Sequence, residues 1–214
     1  MNTKTLLKFT FIALLLTVTF SCKKENTFTN FKYADKPETI TCEGVNNKLL
    51  KEALYSFEAD IFIYYKKNRP QNRLNQAYSQ FIRNTSYNGV KFEEIASPHT
   101  IEIFEALKNE NELWDANNPK SHLNYNSAFI ECISNNIKDQ ALKTTFNALL
   151  STNSLSPKLF SAALSSKYTS ALSDKYLATY IALDFYYSKL YDVDLTKISQ
   201  VEPEQEVDFN KIPK

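Results

Sequence analysis

Three acids set in apolar surroundings, Glu58, Asp60 and Asp184, are the residues whose types come nearest to a catalytic constellation. Two carboxylates brought together out of water have their pKa values pushed apart, which is how acid–base pairs are built. Helical geometry argues against such a pair. Asp184, Ser188 and Asp192 recur at four-residue steps, so they share one side of a helix and read as a solvated face, with Glu58 at the edge of an apolar stripe. The two histidines, His99 and His122, occur in neither an HExxH nor an ExxH pattern, so neither a zinc protease nor a di-iron site is expected. His99 sits in the first turn after Ser97-Pro98 and reads as a partner for a neighbouring loop. The chain has no GxSxG elbow and no CxxC pair. Its two glycines, Gly44 and Gly89, cannot form the glycine-rich loop that a phosphate cradle requires. No catalytic residue, metal or cofactor is therefore assigned.

The segment 109–126 is polar and rich in Asp and Asn. As a calcium loop starting at Asp115 it would place Pro119 at the fifth position, Lys120 at the sixth and Asn126 at the twelfth, which fails the ligand pattern at all three. The same segment holds the only tryptophan, Trp114, with His122 and Tyr125. Aromatic faces flanked by Asp and Asn suit a sugar or a small ligand. The simpler expectation is that Trp114 ends a helix by folding back onto the core.

Cysteine supplies the remaining chemistry. Cys42 and Cys132 form an even pair with one possible connectivity, and a disulfide between them would pin the start of the first helix to the middle of the chain. Cys22 follows a basic start (Lys4, Lys8), a twelve-residue apolar stretch Phe9 to Phe20 and the small residue Ser21. That stretch is too short and too threonine-rich to span a bilayer. Residues 1–21 with Thr19-Phe20-Ser21-Cys22 resemble the signal peptide and lipobox of bacterial lipoproteins, and together with the Lys- and Asn-rich composition resemble uncharacterised lipoproteins of the Bacteroidota. The resemblance implies cleavage before Cys22, a diacylglycerol thioether on its sulfur and acylation of the freed amine. Several acyl chains, at about 0.8 kcal/mol per buried methylene, hold a protein firmly to a membrane. Lys23 in place of Asp implies the outer membrane, and Lys23-Lys24-Glu25 matches a surface-export pattern only in part, which favours the periplasmic face.

The elements that must position these residues are helical. Residues 22–44 lack a helical period and read as a flexible tether behind the lipidated cysteine. From 45 to 192 apolar residues recur at three- and four-residue steps in seven segments. The first carries Leu50, Leu54, Phe57, Ile61 and Tyr64, with Phe62 and Ile63 apolar on other sides, so it is expected to have more than one neighbour. It should stop near Asn68, ahead of Pro70. Ser97-Pro98 and Ser156-Pro157 each combine a capping serine with a proline whose missing N–H is harmless in a first turn. Ser173 is expected to cap a final helix over 174–191. Asn88-Gly89 marks a turn, and from Val193 to 214 the pattern fades into a mobile tail. The pattern predicts an all-α, single-domain bundle of about seven helices.

Charge narrows the function. The 25 basic and 24 acidic residues become 23 and 24 once Lys4 and Lys8 leave with the signal, and they are interspersed. No basic stripe is available to neutralise phosphates, which excludes a nucleic-acid partner. The expectation is a lipid-anchored envelope protein that works by binding, through a protein, glycan or small-ligand partner. The alternatives are a glycan module around Trp114, His122 and Tyr125, or an enzyme using Glu58, Asp60 or Asp184.

Overall fold

The helix α1, Asn47–Lys66, is apolar on more than one side, and a helix of that kind has to be surrounded. Asn46 caps it by accepting the Leu49 N–H at 3.1 Å. Every residue from Leu49 to Ile61 is buried. The computed structural model describes residues 28–67 and 69–198; residues 1–21 expected as a signal peptide, Cys22 and the end of the expected tail lie outside the described residues. Around α1 stand α2 (Leu74–Ser86), the short α3 (Phe92–Ile95) and α4 (Pro98–Leu107). Then come α5 (Ala128–Asn136), α6 (Gln140–Ser151), α7 (Pro157–Leu164), the short α8 (Ser170–Ser173) and α9 (Lys175–Ile181). The fold is an all-α single domain, with no strand among the described residues. The caps at Ser97 and Ser156 form as their spacing predicts, accepting the N–H of Thr100 and Leu159.

The last helix departs from expectation. Its cap is Asp174, which accepts the Leu177 N–H at 3.1 Å, and not Ser173. After Ile181 the chain widens into a π-helical turn, Ala182–Tyr186, and then tightens into 3₁₀ geometry over Tyr187–Asp192. π-turns of this kind insert into α-helices as local bulges. Here the segment Leu177–Ser188 is buried on every side. Asp184 and Ser188 lie in the core, so the solvated face expected for Asp184, Ser188 and Asp192 is confined to Asp192. Two segments buried on every side, Leu49–Ile61 of α1 and Leu177–Ser188, thus form the centre, and their rings interlock. Phe57 meets Tyr186 at 5.3 Å between centroids, and Tyr180 meets Phe146 and Phe160 at 4.9 and 5.7 Å.

Two stretches without helical period are ordered all the same. Residues 28–44, expected as tether, lie on the domain as a strap, with Ile40 and Cys42 buried. Cys42 and Cys132 are joined by a disulfide that closes a separation of 90 residues. Within 109–126, Trp114 and Leu123 form an isolated antiparallel bridge, and Leu113 and Leu123 are wholly buried. At the Asn88-Gly89 turn it is Asn88 that takes the left-handed conformation, φ 52°, a region asparagine tolerates better than most residues. Replacing Cys42 and Cys132 by serine should remove about 4–5 kcal/mol of loop-closure stabilisation. A drop in the guanidinium midpoint with helical circular dichroism retained is the expected result.

Candidate functional site

Besides Asp174, the cap of α9, four acids are buried in the core, and each is bound by donors that arrive from distant parts of the chain. Glu52, Glu58 and Asp60 come from α1 and Asp184 from the π-turn. Asp60 Oδ2 accepts from Thr100 Oγ1 at 2.6 Å, Tyr186 OH at 2.7 Å and the Ser97 N–H at 3.1 Å. The last contact sets the acid at the N-terminus of α4, where the helix dipole favours negative charge. Asp184 accepts from Ser121 Oγ, from Tyr180 OH at 2.7 Å and from Tyr125 OH at 2.9 Å. Glu58 accepts from Tyr78 OH and Lys175 Nζ, each at 3.0 Å. Glu52, which the sequence pattern does not single out, takes the N–H groups of Lys32 at 2.6 Å and Tyr33 at 3.0 Å. His99 Nε2 stands 2.7 Å from the same carboxylate.

The electrostatics follow from burial. Desolvation raises the pKa of Asp60 and of Asp184, and their hydroxyl donors pull in the opposite direction. Desolvation, reinforced by Asp184, pushes the Tyr125 and Tyr180 hydroxyls upward, so both stay protonated donors. These acids tie segments together. Their donors are protein groups, and no group of three His, Cys, Asp or Glu side chains arranged for a metal occurs among the described residues.

The sequence-selected aromatics separate. Trp114 is half-buried, donates Nε1–H to the Leu107 carbonyl at 2.6 Å and stands on Tyr191 with 5.3 Å between ring centroids. His122 also packs on Tyr191, at 4.6 Å. Tyr125 turns inward to Asp184 and does not share their surface. Trp114 therefore folds back onto its own helix end. Cys22 lies outside the described residues.

An open site does form elsewhere. A cavity of about 400 Å³ has walls from Val90, Phe92, Pro157 and Phe185 and a rim that carries Lys120, Lys158 and Lys189. That volume falls within the range of about 300–1,000 Å³ that small-ligand sites occupy. The π-turn connects it to the core, because Asp184 bonds to Ser121, Tyr125 and Tyr180 while the next residue, Phe185, and Lys189 are among the residues that line the cavity. The ammonium of Lys189 lowers the Asp184 pKa through space, against the larger effect of burial. No acid lines the cavity. Lys158 and Lys189 form no salt bridge among the described residues, and Lys120 bonds to the Asn153 carbonyl. Ser156 caps α7 at the cavity edge. Sequence reasoning passed over this site because its lining comes from four separated stretches, each unremarkable alone.

The raised Asp184 predicts a pH trend. A folded-state pKa above the unfolded value, about 3.9, means the folded protein holds the proton longer. The associated stability is present below the unfolded pKa and is lost as pH rises through the folded pKa. Asp184→Asn should flatten that loss in urea titrations run above pH 4. Asp184→Ala, which strips three hydroxyls of their acceptor, should cost about 3 kcal/mol. No protein-family model, curated protein or solved structure matches this chain.

Proposed function

We propose that this chain is a lipid-anchored envelope protein, held through Cys22 at the periplasmic face of the outer membrane, that binds a small anionic ligand with an apolar body. The observation that carries the binding reading is the cavity whose lining combines Val90, Phe92 and Pro157 with three lysines. An apolar portion of the ligand would displace water from Val90 and Phe92, which keep part of their surface open, at about 25 cal/mol for each Å² removed. Its charge would face Lys158 and Lys189, whose ammonium groups have no acid beside them in the cavity. A neutral ligand would leave those charges without a counter-ion, which is the basis for discrimination.

The reading is non-enzymatic. The buried acids are engaged by protein donors and none of them lines the cavity, so no general base faces a bound molecule. The membrane address rests on the residues around Cys22, and intact mass of the mature protein against Cys22→Ala tests it directly.

Calorimetric titration with decyl phosphate below its micellar concentration tests the ligand class, with decyl maltoside as the neutral comparison. The expected result is binding of the phosphate to the wild type, weakened five- to tenfold in Lys158→Ala/Lys189→Ala. Raising the salt concentration should weaken it further, since the rim charges are solvated. Equal affinity for the two amphiphiles, or an unchanged affinity in the double variant, overturns the assignment.

A further inference from the structure

The strap that precedes α1 is held by charge. Glu52 accepts the consecutive N–H groups of Lys32 and Tyr33. Beside it the buried Lys51 ammonium donates to the carbonyls of Ala34 at 3.0 Å and Lys36 at 3.2 Å and to the Glu38 carboxylate at 2.8 Å. Tyr55 OH donates to the Pro37 carbonyl at 3.1 Å, and Asn30 Nδ2 to Glu102 at 2.6 Å. One negative and one positive side chain, adjacent on α1, therefore take up the donors and acceptors of one short stretch of extended chain. Phe28 edges onto Phe31, whose ring lies under Lys48 Nζ at 3.9 Å.

This clasp fixes how far the domain stands from its anchor. Only six residue steps separate Cys22 from Phe28. Whatever path they take, six steps span at most about 20–22 Å. Without the clasp the leash would run to the disulfide at Cys42, twenty steps, or about 70 Å fully extended. A domain of this length has a radius of gyration of about 15 Å and hence a diameter of about 40 Å. A leash half that long cannot bring the far side of the domain to the bilayer.

We propose that the end of the domain formed by Phe28, Phe31, Lys32 and Lys48 is a membrane-contact surface, pressed by the clasped strap onto the phospholipid headgroups of the leaflet that holds the anchor. The inference rests on acylation at Cys22. It extends that reading by assigning an orientation, with lysine ammonium groups and the two phenylalanine rings at the headgroup layer.

Lysine footprinting of the acylated protein tests it. Water-soluble N-hydroxysulfosuccinimidyl acetate is applied to the protein in phosphatidylethanolamine/phosphatidylglycerol vesicles and in detergent, and modification is read by peptide mass. Lys48 is exposed and belongs to the folded domain, and Lys158 on α7 serves as the reference. The comparison protein carries twelve extra Gly-Ser residues after Lys24, which lengthens the leash without touching the fold. The expected result is that vesicles slow Lys48 at least threefold in the wild type, leave Lys158 unchanged, and protect Lys48 little in the lengthened protein. Equal Lys48 rates in vesicles and detergent, or equal protection in both proteins, overturns the contact surface. An unacylated mature mass with no vesicle association would instead overturn the anchor, and so the two failures are distinct.

Discussion

A carboxylate moved out of water must find donors or give up its charge, and four acids in this core find theirs in segments that would otherwise have little reason to meet. Asp60 brings together α1, the first turn of α4 and the π-turn through Thr100, the Ser97 N–H and Tyr186. Asp184 draws Ser121 and Tyr125, from a stretch without helical period, onto the final helix. Apolar burial drives collapse without direction, whereas an acid in low dielectric accepts only partners placed at hydrogen-bond distance. The acids thus select one arrangement among the many ways the helices of the described residues can pack. Charge of this kind does not make the fold more stable than a well-packed apolar core would be. Its effect is to penalise every arrangement in which a donor is missing.

The same requirement explains what the chain's pattern made legible. Helices with a strong local signal were readable: Ser97-Pro98 and Ser156-Pro157 supply a cap and a pre-set first turn within two residues, and the stripe from Leu50 to Ile61 repeats at helical steps. The depth of the acids was readable in principle. A helix with Phe62 and Ile63 outside its main stripe must be enclosed, and an enclosed helix buries its acids along with its leucines. Glu58 reads from the sequence as lying at the edge of the apolar stripe, whereas the structure buries it together with Asp60 and with Glu52, which the pattern does not single out. Asp184 was harder. Four-residue spacing to Asp192 suggests one solvent face only if the helix stays regular, and the π-turn followed by 3₁₀ geometry breaks that phase between them. Nothing in the apolar pattern announces the turn, and the hydroxyls of Ser121 and Tyr125 that bond its Asp184 come from some sixty residues upstream. The cavity escaped notice for a related reason, as its lining is assembled by tertiary packing alone.

Residues 28–44 show how a segment can be ordered without a period. It has no regular hydrogen-bonding pattern of its own, so its backbone groups must find partners elsewhere or stay in water. Part of that need is met by Glu52 and Lys51, two neighbours on one helix with opposite charge, which serve the N–H and carbonyl groups of the strap. Cys42 adds a covalent stop at the other end. The two constraints differ in kind. The disulfide limits how far the segment can depart even in the unfolded chain, while the charged pair acts only once α1 is formed and enclosed.

Formation of the strap is therefore contingent on the core. Glu52 is available to Lys32 and Tyr33 because α1 is held at a fixed rotation, and that rotation is set by Asp60 on α4 and Glu58 on Tyr78 and Lys175. A change that let α1 turn by one residue, about 100°, would swing Glu52 away from the strap and Asp60 away from Thr100 together. The seating of the strap, the contacts at the start of α4 and the seat of the π-turn are in this sense one property. Each is set by the angular positions of three acids along a single enclosed helix.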